Sequence, residues 1–179
     1  MPELPEVDTI RAQLTPQLVG RRFVAAWGHP SPKFVTAPDA TGATVEGLRR
    51  RGKYLLADLD DDRELVVHLG MTGSLRVLDA GHDDPYVRAW WRLDDGRHLV
   101  FRDVRRFGRI AVVDGGDHHT LPTLAALGPE PFDATFDGEH LWRALRRSDR
   151  HLKTQVMSQR PVAGVGNIYA DEALHRAAL

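Results

Sequence analysis

Residues 54–69, Tyr-Leu-Leu-Ala-Asp-Leu-Asp-Asp-Asp-Arg-Glu-Leu-Val-Val-His-Leu, decide the fold class. Tyr54–Leu59 and Glu64–Leu69 are apolar runs of strand length, and the acidic cluster Asp58, Asp60, Asp61 and Asp62 marks the turn that joins them. Similar runs recur at Ser74–Leu78, Val87–Leu93 and Leu99–Arg102, with the hairpin signal Asp94-Asp95-Gly96 between the last two. Short strands spaced from Phe23 to about Val113 predict an antiparallel β-sandwich or flattened barrel. Before them, Leu4, Val7, Ile10, Leu14 and Leu18 recur at the spacings of an amphipathic helix. Pro2 and Pro5 fall in or before its first turn, and Gly20 is a natural stop.

After the strands the period turns helical. Residues 114–137, rich in Gly, Pro and Asp, read as a linker with at most a short helix near Leu121–Leu127. Asp137 is predicted to cap a helix through Ser148, with Leu141, Trp142 and Leu145 on its buried side. A second helical stretch covers His151–Ser158. A third begins near Asn167, with Ile168, Ala170, Leu174 and Ala178 facing inward, and runs uncapped into Leu179. A domain rarely ends in mid-helix, so the expectation is a chain cut short at its C-terminus. The predicted class is α+β: a first domain over 1–115, a linker over 116–136, and a partial helical module over 137–179.

The chain has 179 residues, and 42% hydrophobic against 27% charged residues argue against wholesale disorder. A net charge of −1 supplies no global field that would select a partner. The absence of cysteine excludes disulfides, thiolate nucleophiles, iron–sulfur clusters and cysteine-ligated zinc. No apolar run approaches the roughly 18 residues of a membrane span, and no charged-then-apolar leader opens the chain. Lysine occurs only at Lys33, Lys53 and Lys153, so arginine, which forks onto phosphate, supplies the remaining cations. They gather at Arg49–Lys53, at Arg102–Arg109 and at Arg143–Lys153, a segregation compatible with nucleic acid and equally with solvated faces.

The N-terminus carries the clearest chemistry. Methionine before a small residue is usually removed, which here exposes the secondary amine of Pro2. An α-amino group ordinarily titrates near pH ~7.7–8.0 and a lysine near ~10.4, so far more of the former is free base at neutral pH. Such an amine can attack a sugar aldehyde carbon and give an iminium, an electron sink for elimination. Glu3 and Glu6 lie three apart on one helical face beside it. One could protonate a sugar oxygen while the other orients the amine or a water; alternatively, both merely complement the helix dipole. Gly164-Val-Gly166 lacks the third glycine of a dinucleotide loop. The adjacent His118 and His119 face different ways, as solvated loop residues do.

Five motifs then occur in order: Met1-Pro-Glu-Leu-Pro-Glu-Val7, Arg51-Gly-Lys53-Tyr-Leu55, His68-Leu-Gly-Met71-Thr-Gly73, Arg105-Arg-Phe-Gly108, and Gly164-Val-Gly-Asn167-Ile-Tyr-Ala-Asp-Glu-Ala-Leu174. Together they resemble the formamidopyrimidine-DNA glycosylases, the Fpg/MutM branch of the Fpg/Nei family. The resemblance implies an N-terminal catalytic β-sandwich domain and a partial helix–two-turn–helix module. It implies a base-excision repair enzyme that removes oxidised purines such as 8-oxoguanine and formamidopyrimidines from double-stranded DNA, with strand cleavage by β,δ-elimination. By similarity Pro2 is the nucleophile, Glu3 the acid for ring opening, Glu6 a supporting group, and Lys53 the hairpin lysine at the damaged nucleotide. Met71, Arg105 and Phe107 match residues that fill the gap left by an extruded base, beside Arg106. Lys153 and Asn167 match phosphate contacts of the helical module.

One departure is Val104, where the family commonly has proline; loop rigidity and preference for the opposite base are the properties it touches. Full-length relatives carry a structural zinc in a C-terminal four-cysteine finger, so no cofactor is expected in this chain. A monomer is implied at full length, no membrane is implied, and localisation is expected to be bacterial cytoplasm with the nucleoid. Two other functions remain open at this stage. One is a catalytically weak fragment that only binds damaged or abasic DNA. The other is a small-molecule enzyme using the proline amine as a base on carbonyl acids, which needs neither the Arg105–Gly108 run nor the Asn167 segment.

Overall fold

The computed structural model describes residues 1–79 and 83–179. The chain forms two compact units: Met1–Arg50 with Tyr54–Asp117, and Arg51–Lys53 with His118–Leu179.

The first unit opens with helix α1, Leu4–Leu18. Its apolar spacing does what the period dictates: Val7, Leu14 and Leu18 are buried, and Ile10 packs partly buried beside them. Gly20, at φ 82°, takes the left-handed conformation just past the helix. Eight strands follow: β1 (Phe23–Gly28), β2 (Val45–Arg51), β3 (Tyr54–Leu59), β4 (Arg63–His68), β5 (Ser74–Leu78), β6 (Val87–Leu93), β7 (His98–Arg102) and β8 (Arg109–Asp114). They form two four-stranded sheets, in the orders β1-β6-β7-β5 and β2-β3-β4-β8. The pairs β3–β4, β4–β8, β1–β6, β6–β7 and β5–β7 are antiparallel. The predicted α+β class with an antiparallel sandwich is therefore what the chain builds.

Alternation places the core. Leu55, Ala57 and Leu59 of β3 and Leu65 and Val67 of β4 join Ala89, Trp91 and Leu93 of β6 and Leu99 and Phe101 of β7 in one apolar cluster. Leu56 and Val66, one residue out of phase, are buried as well, so these two central strands are covered on both faces. Trp91 is fully buried and its indole N–H donates to the Ala37 carbonyl at 2.9 Å, so the large ring enters the core without an orphaned donor.

The second unit contains α2 (Pro122–Ala125), α3 (Gly138–Leu145), α4 (Leu152–Met157) and α5 (Asn167–Arg176). Asp137 caps α3 as expected, its carboxylate accepting from the His140 N–H at 2.7 Å. Three expectations fail here. No residue of α3 is buried: Leu141 and Leu145 are half-buried, and exposed Trp142 lies under the Arg146 guanidinium, 4.7 Å from its ring centre. On α5 only Ala170 is buried; Ile168 is 61% exposed, Leu174 half-buried and Ala178 exposed. Periodicity identifies an apolar stripe and carries no information about whether anything covers it.

Nor does α5 run on to Leu179. Ala178 turns left-handed at φ 56°, its N–H donating to the His175 carbonyl, and the Leu179 N–H donates to the Leu174 carbonyl. This pair of bonds is a Schellman closure with alanine in the place glycine usually takes, which hides the stop from a sequence reading.

Candidate active site

The N-terminal end of α1 is organised by its two acids. Glu3 is the N-cap, and Glu3 and Glu6 form a reciprocal capping box in which the Glu3 N–H donates to Glu6 Oε2 at 2.9 Å. Pro5 tolerates the first turn because its missing N–H would have no helical partner there. Glu6 is exposed, whereas Glu3 is only 2% exposed and Pro2 half-buried. The box fixes the backbone next to Pro2, so the proline nitrogen leaves a rigid helix start and not a frayed tail. Glu6 thus serves the helix, and by doing so holds the Glu3 backbone.

Met71, Arg105, Arg106 and Phe107 lie on two neighbouring loops of the same unit. Met71 is in the turn between β4 and β5; the other three are in the loop between β7 and β8. The backbones of these loops are pressed together: a Cβ added to Gly70 would lie 2.4 Å from Gly108 N and from Phe107 C. Met71 and Phe107 are both exposed although apolar, and the Arg105 guanidinium stacks 4.8 Å from the Phe107 ring centre. Arg105 makes no ion pair among the described residues. Arg106 adopts φ 56°, a left-handed backbone uncommon for a side-chain-bearing residue, and its carbonyl accepts from Lys33 Nζ at 2.9 Å. Val104 is exposed in the same loop.

Sequence reasoning assigned no role to several residues around these loops. Arg88 is 4% exposed and donates to the carbonyls of Asp103, Pro85 and Val87. Burial, then the neighbouring positive charges of Arg106 and Arg88, hold the His29 imidazole below its ordinary pKa. Its Nδ1 accepts from the Ser31 N–H at 3.1 Å, as a neutral ring can. Trp27, His29, Arg88, Trp90 and Arg106 line an open hollow of about 490 Å³.

The second unit holds the remaining predicted residues. Lys53 is 4% exposed, unlike the solvated lysine that a glycine turn would ordinarily present. The turn before it is tied down: Gly52, at φ 56°, donates its N–H to Glu130 Oε1 at 2.6 Å, and Arg51 donates to the Leu127 and Gly128 carbonyls. A Cβ on Gly52 would sit 2.9 Å from a Leu127 methyl, so position 52 requires glycine for space as well as for φ. Lys153 and Asn167 come together on Asp171: Lys153 Nζ lies 2.6 Å from Oδ1, and Asn167 Nδ2 donates to Oδ2 at 3.5 Å.

The arginine groups divide into paired and unpaired members. Arg49 is spent on Asp58 and Glu64, which holds its guanidinium above the ordinary range, and Arg143 on Glu139. Arg147, Arg150 and Arg160 form no ion pair among the described residues and line a second hollow with Ser148 and Thr154. No three histidine, aspartate or glutamate side chains among the described residues are grouped to hold a metal. With no cysteine in the sequence, a four-cysteine zinc site cannot be assembled from this chain. No described helix is long and apolar enough to cross a membrane.

A two-sheet unit led by a helix that Glu3 caps, with a helical unit after it, is an architecture shared with one class of DNA-repair proteins. Residues 1–110 match the model of the formamidopyrimidine-DNA glycosylase N-terminal domain, and residues 127–179 match that of the formamidopyrimidine-DNA glycosylase H2TH domain. The chain belongs to this family. It is 44% identical over 188 residues to the formamidopyrimidine-DNA glycosylase of Deinococcus radiodurans, covering all of this chain and 65% of the relative. The crystal structure of MutM (Fpg) from Thermus thermophilus superposes with a TM-score of 0.91 at 44% identity, over 99% of this chain and 65% of that one. Lactococcus lactis Fpg non-covalently bound to DNA containing an AP site aligns with a TM-score of 0.83 at 34% identity, over 96% of this chain and 68% of that one. The chain thus spans about two-thirds of the length of these relatives.

Proposed function

We propose that this chain carries the catalytic residues of a bifunctional DNA glycosylase and AP lyase that removes oxidised purines from double-stranded DNA. The observation that carries this reading is the start of α1: a buried Glu3 held by Glu6 directly beside Pro2. Membership of the formamidopyrimidine-DNA glycosylase family supports the substrate class, and the relative bound to AP-site DNA supports damaged DNA as the partner.

In this reading Met1 is removed and the Pro2 nitrogen attacks the sugar C1′ of an extruded nucleotide, displacing the damaged base. Glu3 delivers a proton to the ring oxygen as the sugar opens, leaving an iminium between Pro2 and C1′. The cationic nitrogen acidifies the C2′ proton; its removal sends an electron pair to C3′ and expels the 3′ phosphate. A second elimination through the conjugated system expels the 5′ phosphate, and water then releases Pro2. Lys53 holds the phosphate of the damaged nucleotide, and Met71, Arg105 and Phe107 occupy the space it vacated. Arg106, Lys153 and Asn167 contact the backbone of the duplex. The first unit serves as the catalytic domain and 137–179 as the helical DNA-binding module, with 116–136 linking them.

Borohydride trapping on a duplex with one abasic site tests this. The chain lacking Met1 should give a covalent adduct that maps to Pro2 by peptide mass, and Pro2→Gly should lose most of it. A folded, Met1-free chain that binds abasic duplex in a salt-dependent way without forming an adduct would instead be a damage-binding protein without lyase chemistry.

A further inference from the structure

Asp103 is a charged side chain with 0% exposure, and no sequence motif singles it out. It stands where β7 ends, and both of its carboxylate oxygens are used. Oδ1 accepts from the Thr72 hydroxyl at 2.6 Å, and Oδ2 accepts from the Gly108 N–H at 2.7 Å. Thr72 follows Met71 in the β4–β5 turn, so the first bond crosses from one loop to the other. Because the Thr72 hydroxyl spends its proton on Asp103, its lone pairs are left to accept, and the Arg105 N–H donates to it at 3.2 Å. The backbone of Asp103 is fixed in turn: its N–H donates to the Tyr86 carbonyl, and its carbonyl accepts from Arg88 Nε, both at 2.9 Å.

We propose that Asp103 and Thr72 form a latch that sets the spacing between Met71 on one loop and Arg105 and Phe107 on the other. Asp103 is thereby a positioning residue for duplex insertion. The inference rests on the repair reading given above. An apolar side chain driven into a base stack works against the cost of unstacking, so the backbone behind it must not yield. The two carboxylate bonds and the Lys33 bond to the Arg106 carbonyl tie this backbone down, and Gly70, lacking a Cβ, lets the two loops pack closely enough for the first of them to form. Met71 and Phe107 project from the solvent side of this frame. The hydroxyl of Thr72 is the joint through which Asp103 reaches Arg105.

Thr72→Val keeps the shape and removes the joint, stranding an oxygen of Asp103 and the Arg105 N–H; Thr72→Ser restores the hydroxyl. The Met1-free chain and these variants are compared by single-turnover borohydride trapping on an abasic duplex and on the same abasic strand without its complement. A single strand has no stack to enter and needs no wedge. Trapping of Thr72→Val on the duplex should fall roughly tenfold, the scale of one lost hydrogen bond to a buried charge, with the single strand unchanged. Thr72→Ser should recover the duplex rate. Asp103→Asn, nearly isosteric, should reproduce the selective loss, and thermal melting identifies any variant that has not folded. Equal duplex rates for wild type and Thr72→Val would overturn the latch while leaving the catalytic reading intact. So would a parallel loss on both substrates, which marks a general structural defect. A wild-type chain inert on both substrates would instead sink the catalytic reading, and the latch with it.

Discussion

The two units of this molecule are held together by different means. In the β-sandwich, Trp91, Phe23, Phe34 and Phe101 share one core with many aliphatic side chains, and the ladders satisfy the backbone. In the helical unit the buried apolar set is small, chiefly Leu121, Leu124, Val162, Ala163 and Ala170, while Phe132 is 86% exposed. Polar contacts to backbone take over there. Gln155 is buried and donates to the Ser148 and Arg150 carbonyls; Gly164 donates to the Gln159 side chain; Glu130 accepts from Gly52 and Arg51. The first unit resists perturbation through volume, the second through specific acceptors. Deleting a core ring and deleting one oxygen-bearing side chain should therefore wound different halves.

The largest effect is expected from Trp91→Ala. Removing a fully buried indole costs about 3–5 kcal/mol, a large share of the stability of a single domain. Circular dichroism melting should show a collapsed or absent β-sandwich transition; a loss below ~1 kcal/mol would mean that the core repacks and that volume is not what holds this unit. Glu130→Ala comes next. It removes the acceptor of the Gly52 N–H and an ion-pair partner of Arg51, worth about 2 kcal/mol on the scale of charge-assisted hydrogen bonds. Hydrogen exchange should accelerate in residues 118–179 with the amides of β3 and β4 still protected, and uniform acceleration over both units would break the contrast. The smallest is Asp137→Ala, which forfeits the cap of α3 and about 1 kcal/mol of local stability. Faster exchange confined to 138–145 would sharpen the picture, because that helix has no buried residue to fall back on.

The sequence reading followed the same divide. Leu4, Val7, Ile10, Leu14 and Leu18 revealed α1 because burial on one helix face writes itself as period, and the runs around 54–69 revealed β3 and β4 because strands covered on both faces read as unbroken apolar stretches. The strand β2, Val-Glu-Gly-Leu-Arg-Arg-Arg, has no such alternation; with β1 and β8 it was covered only by the general span of strands. For α3 the period was real but the inference of burial was not, and on α5 that inference held only for Ala170. The end of α5 escaped because an alanine, not a glycine, turns left-handed there.

Among the candidate site residues, Pro2, Glu3 and Lys53 were nameable from motifs. The capping box that binds Glu3 to Glu6 was not foreseen; the structural option weighed for these acids was a charge complementing the helix dipole. Asp103 could not have been found in this way. Its partners Thr72 and Gly108 are 31 and five positions away, and an aspartate close to two arginines reads as surface charge. What makes it notable, complete burial with both oxygens engaged, exists only after the chain has folded.

The short loop Arg51-Gly52-Lys53 has a consequence for how this protein can be taken apart. These three residues are encoded where β2 ends and β3 has yet to begin, Arg51 being the last residue of β2, yet they belong to the helical unit through Leu127, Gly128 and Glu130. The helical unit is therefore not a contiguous stretch of gene. A fragment starting at His118 would carry Glu130 without the N–H that meets it, and a chimera spliced at that point would inherit a foreign loop in its place. Modularity here runs through space and not along the reading frame, so exchange of the helical unit between relatives requires a cut at residue 118 and a three-residue graft more than sixty positions upstream.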